Sequence, residues 1–157
     1  MNKSIRIGGA SGFWGDSYRA TEQLIQDTTL DFIVYDYLAE ITMSIMARAR
    51  AKSPSAGYAT DFIDAVIKPY IKRISTHNTR LISNAGGVNP EKCAEVISEL
   101  VKDLQLNLKV SCITGDDLMG SAQEIKNMNC KEMFSDIKFP ELDKAASMKA
   151  DLRAFAL

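Results

Sequence analysis

Four short runs rich in β-branched or aromatic residues, at 5–7, 32–37, 80–83 and 108–113, are separated by stretches with helical spacing. Parallel strands require a crossover of a dozen or more residues, and these intervals supply one each time. The expected fold is therefore α/β, an open and mostly parallel sheet with flanking helices in Rossmann-like layers. After Asp117 the rhythm weakens and no fifth strand of similar strength follows. The sheet is expected to be incomplete at the C-terminus.

The helical segments have readable faces. A helix is expected around residues 18–26. In 39–51, Ile41 and Ile45 lie four apart, Met43, Met46 and Ala47 widen the stripe, and Arg48 and Arg50 fall outside it. From Asp61 onward, Phe62, Val66 and Tyr70 interleave with Ile63, Ile67, Ile71 and Ile74, which predicts a longer helix covered on two sides. Pro69 is expected to kink it, because proline donates no amide hydrogen to the helix. In the next helix Asn89 stands at the cap and Pro90 at the first turn. Its stripe is Cys93, Ile97, Leu100, Val101 and Leu104, and Asn107 is expected to close the following turn. Small polar loops are expected around 52–55 and 57–60.

With 157 residues, 46% of them hydrophobic, the chain has the size of one ordinary domain. Nineteen basic and 20 acidic side chains leave a net charge of −1, so no strong field draws it to nucleic acid or an anionic membrane. Cys93, Cys112 and Cys130 are widely spaced and His77 is the single histidine, which argues against a zinc site or a disulfide framework. Cys93 and Cys112 are expected in the core. His77, after a helix end, suits a solvated partner of the helix dipole. The N-terminus has no secretory pattern and no apolar run is long enough to cross a bilayer, so the expected location is cytoplasmic.

Polar residues gather where each strand ends. The turn Gly8-Gly9-Ala10-Ser11-Gly12-Phe13-Trp14-Gly15-Asp16-Ser17 follows the first strand, and its amides can face an anion. Gly9, Ser11, Gly12, Trp14 and Asp16 are its candidate ligand contacts. Neither a Walker loop nor a full GxGxxG pattern is present, and a tight turn needing glycine geometry explains the sequence equally well. Asp36 and Glu40 follow the second strand, where a carboxylate can act as base or hold a hydroxyl. Glu40 can equally serve the first turn of a helix. The third strand runs into Ser83-Asn84-Ala85-Gly86-Gly87-Val88-Asn89-Pro90, in which Asn84 can present its amide to a carbonyl or fix a neighbouring carboxylate. Gly86 and Gly87 are further ligand-contact candidates. The fourth run ends in Thr114-Gly115-Asp116-Asp117; Asp116 is the candidate for the crevice and Asp117 for ligand contact or a helix cap. Asp36, Glu40, Asn84 and Asp116 are thus the catalytic candidates. Convergence of the three carboxylates would suit Mg²⁺, but no metal ligand is assigned and no cofactor is named. Ser11 and Ser17 have no histidine partner for a hydrolytic triad.

These four ordered motifs, together with Thr42-Met43-Ser44-Ile45, Ala47-Arg48-Ala49-Arg50 and Gly57-Tyr58-Ala59-Thr60-Asp61-Phe62, resemble the N-terminal domain of the acyclic terpene utilisation family, protein A type. The likeness spans residues 5–118. It implies a cytoplasmic protein of acyclic terpene breakdown, of compounds such as citronellol and geraniol, through acyl-CoA intermediates. It carries over no catalytic residue. The family pattern continues with further strands, introduced by a stretch like Ser-Met-Asn-Ala-Tyr-Leu-Gly-Ala. Here residues 147–157 depart from it, so the expectation is residues 1–157 as the N-terminal part of a larger single domain. An uncovered apolar face would leave such a chain unstable, oligomeric or inactive. The leading expectation is an enzyme acting on a small organic acid or acyl-CoA. The alternatives are a non-catalytic subunit that binds acyl-CoA or a partner, and an inactive remnant.

Overall fold

A computed structural model of the chain describes residues 4–26, 29–131, 134–139 and 141–150. Residues 151–157, which include most of the divergent C-terminal stretch, lie outside them. The chain divides into two compact units, Met1–Cys112 and Ile113–Leu157.

The first unit holds a three-stranded parallel sheet in the order β1 (Ile7–Ser11), β2 (Phe32–Tyr35), β3 (Arg80–Ser83). The register aligns Gly8, Ile33 and Leu81 on one face and Ile7, Phe32 and Arg80 on the other. An irregularity between Gly9 and Ser11 lets Ser11 pair with Tyr35. The strand thus runs through Gly8 and Gly9, which the sequence reading had placed in the turn. Gly8 is needed there for close approach: a Cβ would lie 3.0 Å from Leu24 and 3.1 Å from Leu30.

Helices α1 (Ala20–Leu24), α2 (Glu40–Lys52), α3 (Lys68–His77) and α4 (Pro90–Asp103) complete this unit. Both crossovers meet the same sheet face, where Tyr35 bonds Thr21 of α1 and stacks edge-on against Phe62 just before α3. That is what right-handed crossovers between strands stepping one way must produce. The core follows from it: Ile33, Tyr35, Phe62, Val66, Ile71 and Ile74 are buried together. Ile7 and Ile82, on the opposite face, remain 63% and 53% exposed.

Several local expectations change. The long helix expected around Pro69 changes register there; a π-helical segment, Phe62–Ile67, precedes α3, with the Lys68 amide donating to Ile63, five residues back. Pro69 then falls in the first turn of α3, where its missing donor costs little. Helix α1 is shorter than expected. Asn89 stands at the cap of α4 without a side-chain capping bond; its amide instead donates to Pro54 and Ala56. The left-handed residue after α4 is Gln105 rather than Asn107. His77 ends α3 with a buried, unpartnered Nδ1, so it is less solvated than expected.

The expected fourth strand is not among the described strands. Leu106, Leu108 and Val110 pack on the core while the residues between them are exposed, a two-residue alternation without a ladder. Cys112 is exposed, whereas Cys93 is buried as expected. The second unit has a 3₁₀ turn, Met119–Ser121, running into α5 (Ala122–Asn127) and another 3₁₀ turn, Leu142–Lys144. An antiparallel bridge joins Asp117 to Lys149, flanked by amide bonds from Leu118 to Met148 and from Ala150 to Asp116.

Burial raises the Tyr35 phenol to about 12 and the Cys93 thiol to about 11. Both groups are neutral when protonated, so the folded chain keeps these protons after the unfolded chain has released them. Their stabilisation is complete below about pH 9 and is lost as pH rises toward about 12. Urea midpoints are expected to fall between about pH 8 and pH 11, with a smaller fall in Tyr35→Phe. A midpoint independent of pH would contradict this.

Candidate functional site

The C-terminal edge of the sheet is organised by one amide. The Tyr37 backbone N–H donates to Asn84 Oδ1 at 2.7 Å, and Asn84 Nδ2 donates to Asp36 Oδ1 at 2.8 Å. A backbone N–H can only donate, so Asn84 must turn its oxygen to Tyr37 and its NH₂ to the carboxylate. Asn84 thereby bridges the ends of β2 and β3 and fixes Asp36, whose side chain is exposed. The Ser11 hydroxyl donates to the Asp36 carbonyl at 3.2 Å, bringing the end of β1 to the same place. Ser11, Asp36 and Asn84 are therefore neighbours. Glu40 opens α2 and is exposed, and its helix start is secured by Thr42, which bonds both the Ala39 N–H and the Ala39 carbonyl.

The glycine-rich turn already has an anion of its own. The Gly12 N–H donates to Asp16 Oδ2 at 2.9 Å, so a bound phosphate would have to displace this carboxylate from that amide. Helix α1 has only five residues and adds little dipole. Gly9 lies in β1, and Gly15 takes the positive φ of the turn, 85°. Trp14, half-buried, donates its indole N–H to Asp61 at the start of the long helix. Between the turn and that helix is a shallow hollow of about 10 Å³, room for about one water molecule, bordered by Ser11, Asp16, Tyr18, Tyr37 and Asp61. Tyr37 is buried beside Tyr35 and Phe62, and burial with the nearby Asp61 charge raises its phenol above the usual tyrosine range. It remains a neutral hydrogen-bonding group at physiological pH.

Sequence reasoning gave no role to Tyr37, Asp61 or Tyr18. The available signals were the continuation of the Ile33, Tyr35 alternation to residue 37 and an aspartate opening a helix opposite the sole tryptophan. The described sheet also has no reversal of strand order, the feature that opens a crevice in doubly wound folds. Its hollow is instead formed by the glycine turn and the π-helical segment.

Gly86 and Gly87 sit in tight packing. A Cβ on Gly87, whose φ is 55°, would meet the Met46 sulfur and lie 2.8 Å from the Gly57 carbonyl. Their loop is held to residues 54–59 by Ala59 to Ala85, Val88 to Gly57 and the two Asn89 bonds, and to α2 by Arg50 donating to the Val88 carbonyl. In the second unit, Lys149 Nζ lies 3.1 Å from Asp116 Oδ1, and Asp117 Oδ1 accepts from the Met119 N–H at 3.0 Å. Asp117 thus closes a local turn. Among the described residues, no group of three or more His, Cys, Asp or Glu is placed to hold a metal ion. No described helix is long and apolar enough to cross a membrane.

Removing the internal anion should open the first turn. Asp16→Ala is expected to gain thermal stabilisation by inorganic phosphate of roughly 2 °C or more, while the parent chain gains little. Equal stabilisation of both would show that Asp16 does not occupy the amide in solution.

The comparison with protein families bears on the whole arrangement. Residues 5–154 match the model described as acyclic terpene utilisation family protein AtuA. Searches of curated proteins and of solved structures returned no match. The matched span covers most of each unit and all four of the polar motifs, and the chain belongs to the acyclic terpene utilisation family.

Proposed function

We propose that this member of the acyclic terpene utilisation family acts on a small organic acid, or its CoA thioester, formed during acyclic terpene breakdown. The observation that supports this reading is the Asn84–Asp36 pair. An exposed carboxylate with one oxygen held by a fixed amide is preorganised to accept a hydrogen bond or proton from a ligand. Asp36 is the acid–base group in this reading. Asn84, whose carbonyl oxygen is engaged by Tyr37, is its positioning residue.

Calorimetric titration of the full chain with the acid derived from citronellol, and with its CoA thioester, tests this reading. At least one is expected to bind. Asp36→Asn is expected to weaken binding by roughly tenfold, the effect of losing one charge-assisted hydrogen bond. Asn84→Ala should weaken it less, because the carboxylate remains but is no longer held. Binding unchanged in Asp36→Asn would contradict an acid–base role and favour a non-catalytic binding subunit. Absence of binding to either compound would contradict the substrate class.

A further inference from the structure

A parallel sheet is almost always covered on both faces, because its crossovers place helices there. In this chain both crossovers meet the Ile33 and Tyr35 face. The opposite face carries Ile7 and Gly9 of β1, Phe32 and Val34 of β2, and Arg80 and Ile82 of β3. Ile5, just before β1, continues the alternation and is 63% exposed, as is Ile7. Neither these isoleucines nor Phe32, Val34 and Ile82 belong to the packed core. An apolar surface of this kind, on the middle of a sheet, marks an interaction site.

We propose that a second copy of this chain covers this face, forming a two-fold dimer with the sheets stacked about 10 Å apart. Charge placement favours a copy of itself. Arg80, at the N-terminal end of β3, lies over the Phe32 ring, 5.5 Å from its centroid. Asp36, just beyond the C-terminal end of β2, continues the alternation of Phe32 and Val34 and is exposed. A two-fold axis between the sheets and perpendicular to the strands runs facing strands antiparallel. It brings the Arg80 end of each copy over the Asp36 end of the other, so the apolar centre is flanked by opposite charges. Three strands about 4.8 Å apart, β1 of five residues and β2 and β3 of four, at about 3.3 Å each, give a face of roughly 15 by 15 Å. That is well under the roughly 800 Å² per partner of a standard interface, so the dimer is a weak one.

Sedimentation velocity of the full chain from about 1 to 300 µM tests this. A concentration-dependent shift from monomer to dimer is expected, weakened by salt. Ile82→Glu should weaken association at least tenfold. Because Ile82 is exposed, that variant should retain the parent's circular dichroism and urea midpoint. Arg80→Glu should weaken association less. Ile41→Glu, at a 71% exposed residue of α2, is the control and should leave association unchanged. A chain that stays monomeric throughout would overturn the proposal and leave the face to a different protein. So would a dimer that Ile82→Glu does not affect or that Ile41→Glu abolishes.

Discussion

The arrangement of the first unit depends on β2, the central strand of a ladder that steps from β1 to β2 to β3 in sequence order. Because each crossover lies on the same face, Ile33 and Tyr35 form the centre of the contact between sheet and helices, with Gly8, Ala10 and Leu81 beside them. Ile33 is fully buried, and Tyr35 links to α1 through Thr21 and to the long helix through Phe62. The same geometry has two further consequences. It leaves one sheet face without cover, and it brings the ends of all three strands to one edge, where Ser11, Asp36 and Asn84 meet.

The candidate site is rigid for reasons that can be traced to sequence. Asn84 satisfies one backbone donor and one carboxylate with its two amide functions, so the positions of β2 and β3 determine where Asp36 stands. The loop after Asn84 is in turn held by the α2-to-π-helix connection, through Gly57, Ala59 and Asn89. On the other side, Trp14 fastens the glycine turn to Asp61, beside the π-helical segment. Pro69 and the π-helical turn lie within the same long helix. A prolyl residue that cannot donate is accommodated at its first α-helical turn, while the π-helical register ends with the Lys68 amide reaching Ile63.

Much of this was legible in the residues. The first three strands and the helix after β3 follow from hydrophobic spacing, because burial imposes periods of 2 and 3.6 on strands and helices; the helix after β2 forms as expected, but it buries Thr42, Met46 and Ala47 and exposes Ile41 and Ile45, which spacing had put on its apolar stripe. The gathering of polar residues at the strand ends was legible too, as was the option of Asn84 fixing a carboxylate. Leu106, Leu108 and Val110 show the limit of that reasoning. Their alternation is real, yet strand identity requires a hydrogen-bonding neighbour, which local pattern does not contain. Asn89 shows another: a capping residue in sequence was claimed by the Pro54 and Ala56 carbonyls, a contact across more than 30 residues. The pairing of Trp14 with Asp61, 47 residues apart, was hidden for the same reason.

The most direct test of the account is thiol labelling along the sheet, in a chain whose native cysteines are replaced by serine or alanine. Single cysteines at positions 7, 33, 81 and 82, at about 1 µM protein, should divide by face. Ile7→Cys and Ile82→Cys should react at rates near those of an exposed thiol, Ile33→Cys at least about 100-fold more slowly, through opening of the fold, and the half-buried Leu81→Cys at a rate between them. Similar rates at all four positions, or protection of both faces, would contradict a core built on one side of the sheet.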